Sequence, residues 1–480
     1  MADILDLFPE YVLTGKLDEL RAREYGYLDE QGHTYVDYTG AGLPARRQYH
    51  AHKARLEGAT FGNPHSMNPT SHSATVLVEK TRERVLSYLN ASPDEYQVIF
   101  TPNATGAAKL VGEAYSFRKS SRLVLTSDNH NSVVGLREFA GRAGAHTNYV
   151  PIQQPSLRIA TSAVTKALPR RKRFSLGKVS PGRRGLFAYP AQSNFSGVRH
   201  PLGWVSLAQE RGYDVLLDAA AYLPTCALDL STVQPDFVII SWYKVFGFPT
   251  GVGCLVARHD AMARLKRPYF AGGTVEAATI GVPWHKLSTG PSAYEDGTSN
   301  FLSIPDVHVG LDWLSGIGME LIGTRVRCLT GYFLARLSSL EHTNGAPMAR
   351  IYGPTDLESR GGTVTFNFLD NTGKVVDERL VATESAAAGI SLRTGCFCNP
   401  GAGEAAFSLS KKRISSIVRA KPTTFAEVWD LSGLPTGGAI RVSFGISSTA
   451  RDVEYIIAFA TKTYLDRTTN TEGLPERTAC

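Results

Sequence analysis

Short apolar segments alternate with segments of helical periodicity between residues 97 and 257, and this alternation constrains the fold most strongly. Several of the apolar segments are rich in β-branched side chains, which is typical of buried strands. Strands that alternate with helices form a mostly parallel sheet with helices on both faces. We therefore predict an α/β fold with strands at residues 97–100, 122–125, 147–150, 185–189, 214–217, 237–240 and 253–257.

Polar side chains follow several of these predicted strands, close to the point where each strand ends. Lys244 and Asp218 each follow a different apolar segment. His130 and Asn194 do the same earlier in the chain. Because ligands bind outside the carboxyl ends of the strands in such sheets, the sequence predicts that these four side chains share one site.

Lys244 lies just past a predicted buried strand, in a position that lysine usually avoids. Burial lowers the pKa of an amine and favours its neutral, nucleophilic form. A lysine that extends from the strand end to water is the alternative that this position leaves open.

Asp218 ends the apolar part of VLLDAAA, where an aspartate commonly accepts hydrogen bonds from a neighbouring loop. Paired with Lys244 on a neighbouring strand, it instead suggests pyridoxal phosphate. That cofactor needs a lysine for covalent attachment and an acid that keeps its ring nitrogen protonated.

The phosphate of such a cofactor requires N–H donors and hydroxyl groups. Residues 103–106 open a predicted helix and fit this requirement through Ala104 and Thr105. Ser241 and Tyr243 place two further hydroxyl groups beside the predicted lysine. We therefore interpret these four residues as candidate phosphate ligands.

Cys396 and Cys398 lie in a loop closed by proline and glycine, three and five residues after Arg393. A zinc site would need more ligands than this pair provides. A structural or redox-active cysteine pair is a second interpretation. In the third, Arg393 holds a substrate carboxylate while a loop thiolate acts as a nucleophile.

Six stretches resemble the cysteine-desulfurase branch of the class V aminotransferases and, more narrowly, the N-terminal desulfurase domain of molybdenum cofactor sulfurases. The resemblance implies the pyridoxal-phosphate-dependent transferase fold type I. It implies a large domain whose mixed, mostly parallel sheet lies between helices, and a smaller C-terminal α/β domain. The stretches are FAYPAQSNFSG (187–197), VLLDAAA (215–221), SWYKVFGFPTGVG (241–253), YFAGGTV (269–275), LRTGCFCNPGA (392–402) and RVSFGISS (441–448).

The resemblance also implies an activity, the conversion of L-cysteine to L-alanine with a persulfide on Cys398. A C–S lyase or transferase that acts on another amino acid or a cysteine conjugate is the alternative. A homodimer is implied as well, because Thr298 matches a threonine that reaches the partner subunit's phosphate. The sulfur acceptor is left open.

Individual roles carry over by position from the resemblance. The catalytic residues would be Lys244, Cys398 and His130. The cofactor ligands would be Lys244, Asp218 at the pyridine nitrogen, His130 stacked on the ring, and Ala104, Thr105, Ser241, Tyr243 and Thr298 around the phosphate. The substrate-binding residues would be Arg393 and Asn194 at the carboxylate, with His65 and Ala41, and no metal is expected.

The chain departs from this family in two positions of its motifs. Ala221 stands where many desulfurases have a glutamine three residues after the aspartate. Gly403 stands where a further cysteine is common, and the segment 405–436 matches nothing familiar in the family. The cofactor's ring oxygen therefore needs a donor other than residue 221.

The expected domain organisation follows from a change in pattern near residue 305. Residues 1–30 should pack on the small domain, residues 31–305 should form the large cofactor-binding domain, and residues 306–480 should form the small domain with the Cys398 loop. We also predict a β-hairpin over residues 27–38 and a long helical segment over residues 307–340.

The net charge of +7 comes from one segment. Residues 166–184 hold eight basic and no acidic side chains, and without them the charge of the chain is −1. This favours a solvated surface loop over a nucleic-acid interface. No apolar run has the length of a membrane span, the N-terminus lacks a signal-peptide pattern, and six cysteines form no disulfide framework, so we expect a cytoplasmic protein.

Overall fold

The structure is a computed structural model that describes residues 3–64, 66–169, 185–434 and 436–474. Most of the basic segment and the candidate residue His65 therefore lie outside the described residues. The strands are β1 (Thr34–Tyr35), β2 (Tyr96–Thr101), β3 (Arg122–Thr126), β4 (His146–Val150), β5 (Gly185–Pro190), β6 (Tyr213–Asp218), β7 (Phe237–Ser241), β8 (Gly253–Arg258), β9 (Val275–Thr279), β10 (Trp284–Leu287), β11 (Ala349–Tyr352), β12 (Thr363–Phe368), β13 (Ile390–Ser391), β14 (Arg393–Gly395) and β15 (Ala439–Ser443).

Helices cover both faces of the large sheet and one face of the small one. Two additional 3₁₀ turns span Pro9–Thr14 and Gly290–Tyr294. The helices are α1 (Ile4–Leu7), α2 (Lys16–Tyr25), α3 (Tyr27–Glu30), α4 (Arg46–Gly58), α5 (Pro69–Tyr88), α6 (Ala104–Ala114), α7 (Asn131–Val134), α8 (Leu136–Arg142), α9 (Thr161–Ala167), α10 (Trp204–Gln209), α11 (Trp242–Phe246), α12 (His259–Met262), α13 (Ile304–Ile317), α14 (Met319–Ser338), α15 (Glu378–Ala387), α16 (Pro400–Ala406), α17 (Lys411–Ala420), α18 (Phe425–Ser432) and α19 (Ala450–Tyr464).

The large domain is built on a seven-stranded sheet with the order β2-β8-β7-β6-β5-β3-β4. All pairs are parallel except those of β8, which runs antiparallel to β2 and β7. Strands β5, β6 and β7 are buried along their whole length, as strands of a sheet covered on both faces must be. The seven predicted strands are confirmed, each within one residue at either end.

The small domain holds a four-stranded antiparallel sheet with the order β11-β12-β15-β14. Helix α14 packs on β11 and β12, and it also contacts α19. The edge strand β14 leads directly into the loop that carries Cys398. The loop therefore lies beside the large domain. The domain boundaries at residues 30 and 305 stay a prediction.

The N-terminal segment is fixed to the small domain through two arginines. The guanidinium group of Arg325 donates to Asp18 at 2.7 Å and to the Thr14 hydroxyl at 2.7 Å. The guanidinium group of Arg21 contacts Asp452 at 2.8 Å. These bonds satisfy buried charges and so connect the first helices to α14 and α19.

Two predictions of local structure are wrong. Residues 27–38 do not form a hairpin, because Tyr27–Glu30 is helical and β1 pairs in parallel with the distant strand β13. The expected long helix is divided into α13 and α14 at Gly318, whose φ of 94° falls in a region that glycine tolerates without strain. Long-range pairing and one glycine thus override the local pattern.

Candidate active site

A cavity of about 170 Å³ opens at the carboxyl ends of β5, β6 and β7. It brings together eight of the residues that the sequence singles out, with Asn103 of the predicted phosphate segment, and it adds two polar side chains that sequence reasoning missed, Ser132 and Gln192. The eight residues are Ala104, Thr105, His130, Asn194, Asp218, Ser241, Tyr243 and Lys244.

Lys244 lies in the short helix α11, directly after β7. Burial of the side chain lowers the pKa of its amine, and the charge of Asp218 acts in the opposite direction. Asp218 is itself only 7% exposed and accepts a hydrogen bond from the Ala220 N–H at 2.9 Å. Burial raises the pKa of its carboxyl group, while Lys244 lowers it. The two groups thus share one poorly hydrated space, in which each acts on the pKa of the other.

His130 caps the N-terminus of helix α7, and its imidazole lines the same cavity. Its Nδ1 accepts a hydrogen bond from the Ser132 N–H at 3.1 Å, which places the proton of the neutral ring on Nε2. Burial, Lys244 and Arg441 lower the pKa of His130 to about 4. The ring is therefore neutral at physiological pH.

The N-terminus of α6 forms another wall of the cavity. The Asn103 side chain accepts from the Gly106 N–H at 3.0 Å, and the Ser241 hydroxyl accepts from the Ala104 N–H at 2.9 Å. Strand β8 packs closely against Asn103, since a Cβ atom on Gly253 would lie 2.6 Å from the Asn103 Cα. The positive end of the helix dipole and the nearby hydroxyl groups make this wall suitable for a phosphate group.

Arg393 does not line this cavity, because it is bound to Asp37. Its Nη2 lies 2.7 Å from Asp37 Oδ2, and its side chain is 52% exposed. The buried Arg441 contacts the other carboxylate oxygen of Asp37 at 3.0 Å. Sequence reasoning missed both Asp37 and Arg441, although Arg441 opens the stretch RVSFGISS.

The loop with Cys398 is bound to the large domain through its backbone. The Asn194 side chain donates to the Phe397 carbonyl at 2.8 Å, and the Asn131 N–H donates to the Cys398 carbonyl at 2.8 Å. Asn399 donates to the Asp128 carbonyl at 2.7 Å and to Asn194 at 2.9 Å. The Cys398 thiol is free and exposed. Asn194 therefore supports the cysteine loop in addition to lining the cavity, and the role of Asn399 was not predicted.

Two further candidates lie away from the cavity. Thr298 is exposed in a separate groove, where its hydroxyl is 3.4 Å from the Asn63 side chain. Ala41 belongs to a turn behind Lys244, where its carbonyl accepts a hydrogen bond from Tyr35 at 2.9 Å. The turn fits there because Gly42 donates to the Tyr243 carbonyl and has no side chain to meet the Lys244 carbonyl. Within one chain, the cavity therefore forms without either residue.

The described ranges contain no group of three or more histidine, cysteine, aspartate or glutamate side chains that could hold a metal ion. In the same ranges, no helix has both the length and the apolar character needed to cross a bilayer.

Residues 57–456 match the family model described as aminotransferase class V. The chain belongs to this family. Among similar class V proteins is the molybdenum cofactor sulfurase of Bos taurus, 36% identical over 94% of this chain and 52% of its own length. The molybdenum cofactor sulfurase of Arabidopsis thaliana is 35% identical over 92% of this chain and 57% of its own length. The chain thus spans little more than half of these relatives.

Solved structures of other proteins have the same fold as this chain. A cysteine desulfurase from Thermococcus onnurineus superposes with a TM-score of 0.74 at 21% identity, covering 92% of this chain and 97% of its own. The cysteine desulfurase CsdA of Escherichia coli gives 0.71 at 19% identity, covering 93% and 98%. These likenesses establish the pyridoxal-phosphate-dependent transferase fold type I, with its mixed, mostly parallel sheet between helices.

Proposed function

We propose that this class V chain is a pyridoxal-phosphate-dependent cysteine desulfurase of the molybdenum cofactor sulfurase type. It would convert L-cysteine to L-alanine and keep the sulfur as a persulfide on Cys398. The observation that carries this proposal is the shared cavity of Lys244 and Asp218, with the Cys398 loop bound to Asn194 at its wall. The names of the sulfurase relatives and of the desulfurase structures support the same activity.

The residues around the cavity fit pyridoxal phosphate. Lys244 would attach it, Asp218 would face the pyridine nitrogen, and His130 would lie against the ring. The α6 N-terminus and the Thr105 and Ser241 hydroxyl groups would hold its phosphate. When bound, the cofactor supplies an electron sink for the negative charge that develops at the substrate Cα. One structural neighbour carries glycine covalently linked to this cofactor.

Lys244 is the proposed base that removes the Cα proton of the substrate. The lowered pKa of its amine favours the neutral form that accepts a proton at Nζ. The neutral His130 ring donates from Nε2 and adds no second positive charge that would compete for the proton. Lys244 and His130 are both only partly exposed, which limits the access of water to the transfer.

Cys398 is the proposed nucleophile. Its thiolate would attack the sulfur of the bound cysteine, forming a sulfur–sulfur bond while the carbon–sulfur bond breaks. The bonding electrons of the broken bond remain with the substrate carbon, which takes up protons and leaves as alanine. The exposure of Cys398 lets a second molecule collect the sulfur.

Arg393 and Asn194 are the proposed ligands of the substrate carboxylate. Arg393 is half-exposed, and its Nε and Nη2 contact Asp37. The negative charge of Asp37 is divided between Arg393 and Arg441, so a substrate carboxylate would bind next to two cations and one anion.

A homodimer and a cytoplasmic location complete the proposal. Thr298 lies in an exposed groove outside its own Lys244 cavity, which suits a residue that contacts a partner's phosphate. The hairpin β9–β10 nearby in sequence carries Ile280, 99% exposed, and Trp284, 53% exposed. Exposed apolar side chains of this kind are typical of contact surfaces between proteins.

The decisive experiment uses the pyridoxal-phosphate-loaded protein and L-cysteine. We expect alanine in solution and a mass increase of one sulfur atom on the peptide that contains Cys398. Cys398→Ser should lose the persulfide and sulfide release from cysteine, whereas Cys226→Ser should keep both. If Cys398→Ser still releases sulfide at the wild-type rate, the chain is instead a lyase that expels its leaving group directly.

A further inference from the structure

A second cleft, of about 570 Å³, lies between the large and the small domain. The large domain contributes Arg199 and the turn around Tyr222, and the small domain contributes α14 and residues 357–361. The buried Gln192 side chain lines the Lys244 cavity and also accepts a hydrogen bond from Arg199 Nε at 3.0 Å. The cleft is therefore separate from the candidate active site, and the Gln192 side chain connects the two.

Arg199 is held at the cleft by neutral groups. Besides its bond to Gln192, it contacts the Thr225 hydroxyl through Nη2 at 3.4 Å, and its guanidinium carbon lies 5.9 Å from the centre of the Tyr222 ring. No carboxylate of the described residues forms an ion pair with it. The guanidinium group is thus held in a fixed orientation, but no carboxylate of the described residues pairs with its positive charge.

Arg360, on the opposite wall, is 6% exposed and also lacks an ion pair within the ranges that the structure covers. Its donors contact backbone carbonyls of Pro354, Gly361 and Thr363. The nearby Asp356 forms an ion pair with Arg158, with 2.7 Å between Asp356 Oδ1 and Arg158 Nη2. Burial lowers the pKa of Arg360 to about 10; the charge of Asp356 acts against this shift, and the charges of Arg158 and Arg199 add to it.

We propose that this cleft binds a small organic molecule that carries a tetrahedral oxyanion, a phosphate or sulfate monoester. The guanidinium groups of Arg199 and Arg360 line one cleft without an ion pair and repel each other, and Glu320 is the carboxylate among the lining residues. An oxyanion bound between the two guanidinium groups would relieve that repulsion. Arg327 adds a third cation at the exposed side, where Glu10 contacts it at 2.9 Å. Tyr222 and the apolar Met319 would contact the organic part of the ligand.

Phenyl phosphate is a suitable probe, with benzyl alcohol as its neutral counterpart. Titration calorimetry on protein saturated with pyridoxal phosphate keeps the phosphate wall at α6 occupied. We expect saturable binding of phenyl phosphate and none of benzyl alcohol. Arg199→Gln should weaken the binding at least tenfold, because both the charge and the fork of donors are lost. Arg142→Gln, which removes an exposed arginine on α8, should leave it unchanged.

A measurement on the unmodified protein tests the location. Cys226 is a free, half-buried cysteine in the wall of the cleft, whereas Cys398 lies outside it. Bound phenyl phosphate should slow alkylation of Cys226 at least threefold and leave that of Cys398 unchanged, as measured by peptide mass spectrometry. Absence of saturable binding, equal affinity in a folded Arg199→Gln variant, or unprotected Cys226 would each overturn the proposal.

Discussion

The Lys244 cavity and the contact of the N-terminal segment with Arg325 of α14 each contain a basic side chain with little exposure to water. The two side chains differ in how closely a carboxylate approaches them. The Arg325 guanidinium donates to both carboxylate oxygens of Asp18, at 2.7 and 2.8 Å, and lies 4.4 Å from the centre of the Tyr11 ring. Lys244 is influenced by Asp218 through space, and in the described ranges no carboxylate lies within 4.0 Å of its amine. Arg325 is therefore held in a direct ion pair, whereas the lowered pKa of Lys244 favours loss of its proton.

The difference shows that burial alone does not decide what a cation does. A carboxylate in direct contact stabilises the charged form and makes the pair a structural connection. A carboxylate at a distance leaves desolvation as the larger influence, so the pKa of the amine falls. Variants at each site should therefore affect different properties, stability at Arg325 and activity at Lys244.

The largest effect is expected for Lys244→Ala. Loss of the proposed base should lower the rate of alanine formation by about 10⁴-fold. The melting temperature of the cofactor-free protein should not fall, since no ion pair is broken. Lys119→Ala, at an exposed lysine, is the matched control and should keep wild-type activity. A Lys244→Ala variant that is active but unstable would reverse the comparison.

Arg325→Ala should act on stability instead. It leaves Asp18 and Thr14 without their donor and should lower the free energy of unfolding by about 3 to 5 kcal/mol. Denaturant titration measures this change, and activity per folded molecule should stay the same. Arg327→Ala, two residues further along the same helix, removes an exposed arginine and should cost less than about 1 kcal/mol. Equal costs for both variants would contradict the structural role of Arg325.

His130 extends the comparison to pH. Its folded pKa of about 4 lies below the value of 6.5 in an unfolded chain. Between these pH values the unfolded state binds more protons, so the stability that a neutral ring contributes is lost as pH falls from 6.5 to 4. His130→Gln should remove up to about 3 kcal/mol of this pH dependence in the cofactor-free protein. The exposed His146→Gln should not, and identical pH profiles for the two variants would refute the assignment.

The smallest effect is expected at Thr14, on the Arg325 side of the comparison. Thr14 is fully buried, and its hydroxyl accepts from Arg325 Nε at 2.7 Å. Thr14→Val keeps the shape but removes this acceptor, which should cost about 2 kcal/mol in thermal or denaturant unfolding. Thr383→Val, at an exposed threonine of α15, should cost much less. A neutral Thr14→Val would mean that Asp18 and the backbone carbonyls of Thr14 and Ser448 suffice to fix Arg325.

The sequence predicted well what depends on local pattern and on sheet geometry. His130, Asn194, Asp218 and Lys244 line one cavity because each follows a strand of the same sheet. The pairing of Arg393 with Asp37 could not be predicted, since 356 residues separate the two and no periodicity connects them. The same holds for the parallel pair β1–β13, which replaced the expected hairpin.

Three asparagine contacts hold the Cys398 loop in place, which bears on the proposed sulfur transfer. Asn131 and Asn194 bind the backbone carbonyls of Cys398 and Phe397, and Asn399 of the loop donates to the Asp128 carbonyl. A thiol on a flexible segment could carry the bound sulfur atom across the surface to a distant sulfur acceptor. If Cys398 carries the proposed persulfide, the sulfur acceptor has to dock at the enzyme, and the shape of the surface around Cys398 would then determine which acceptors can bind.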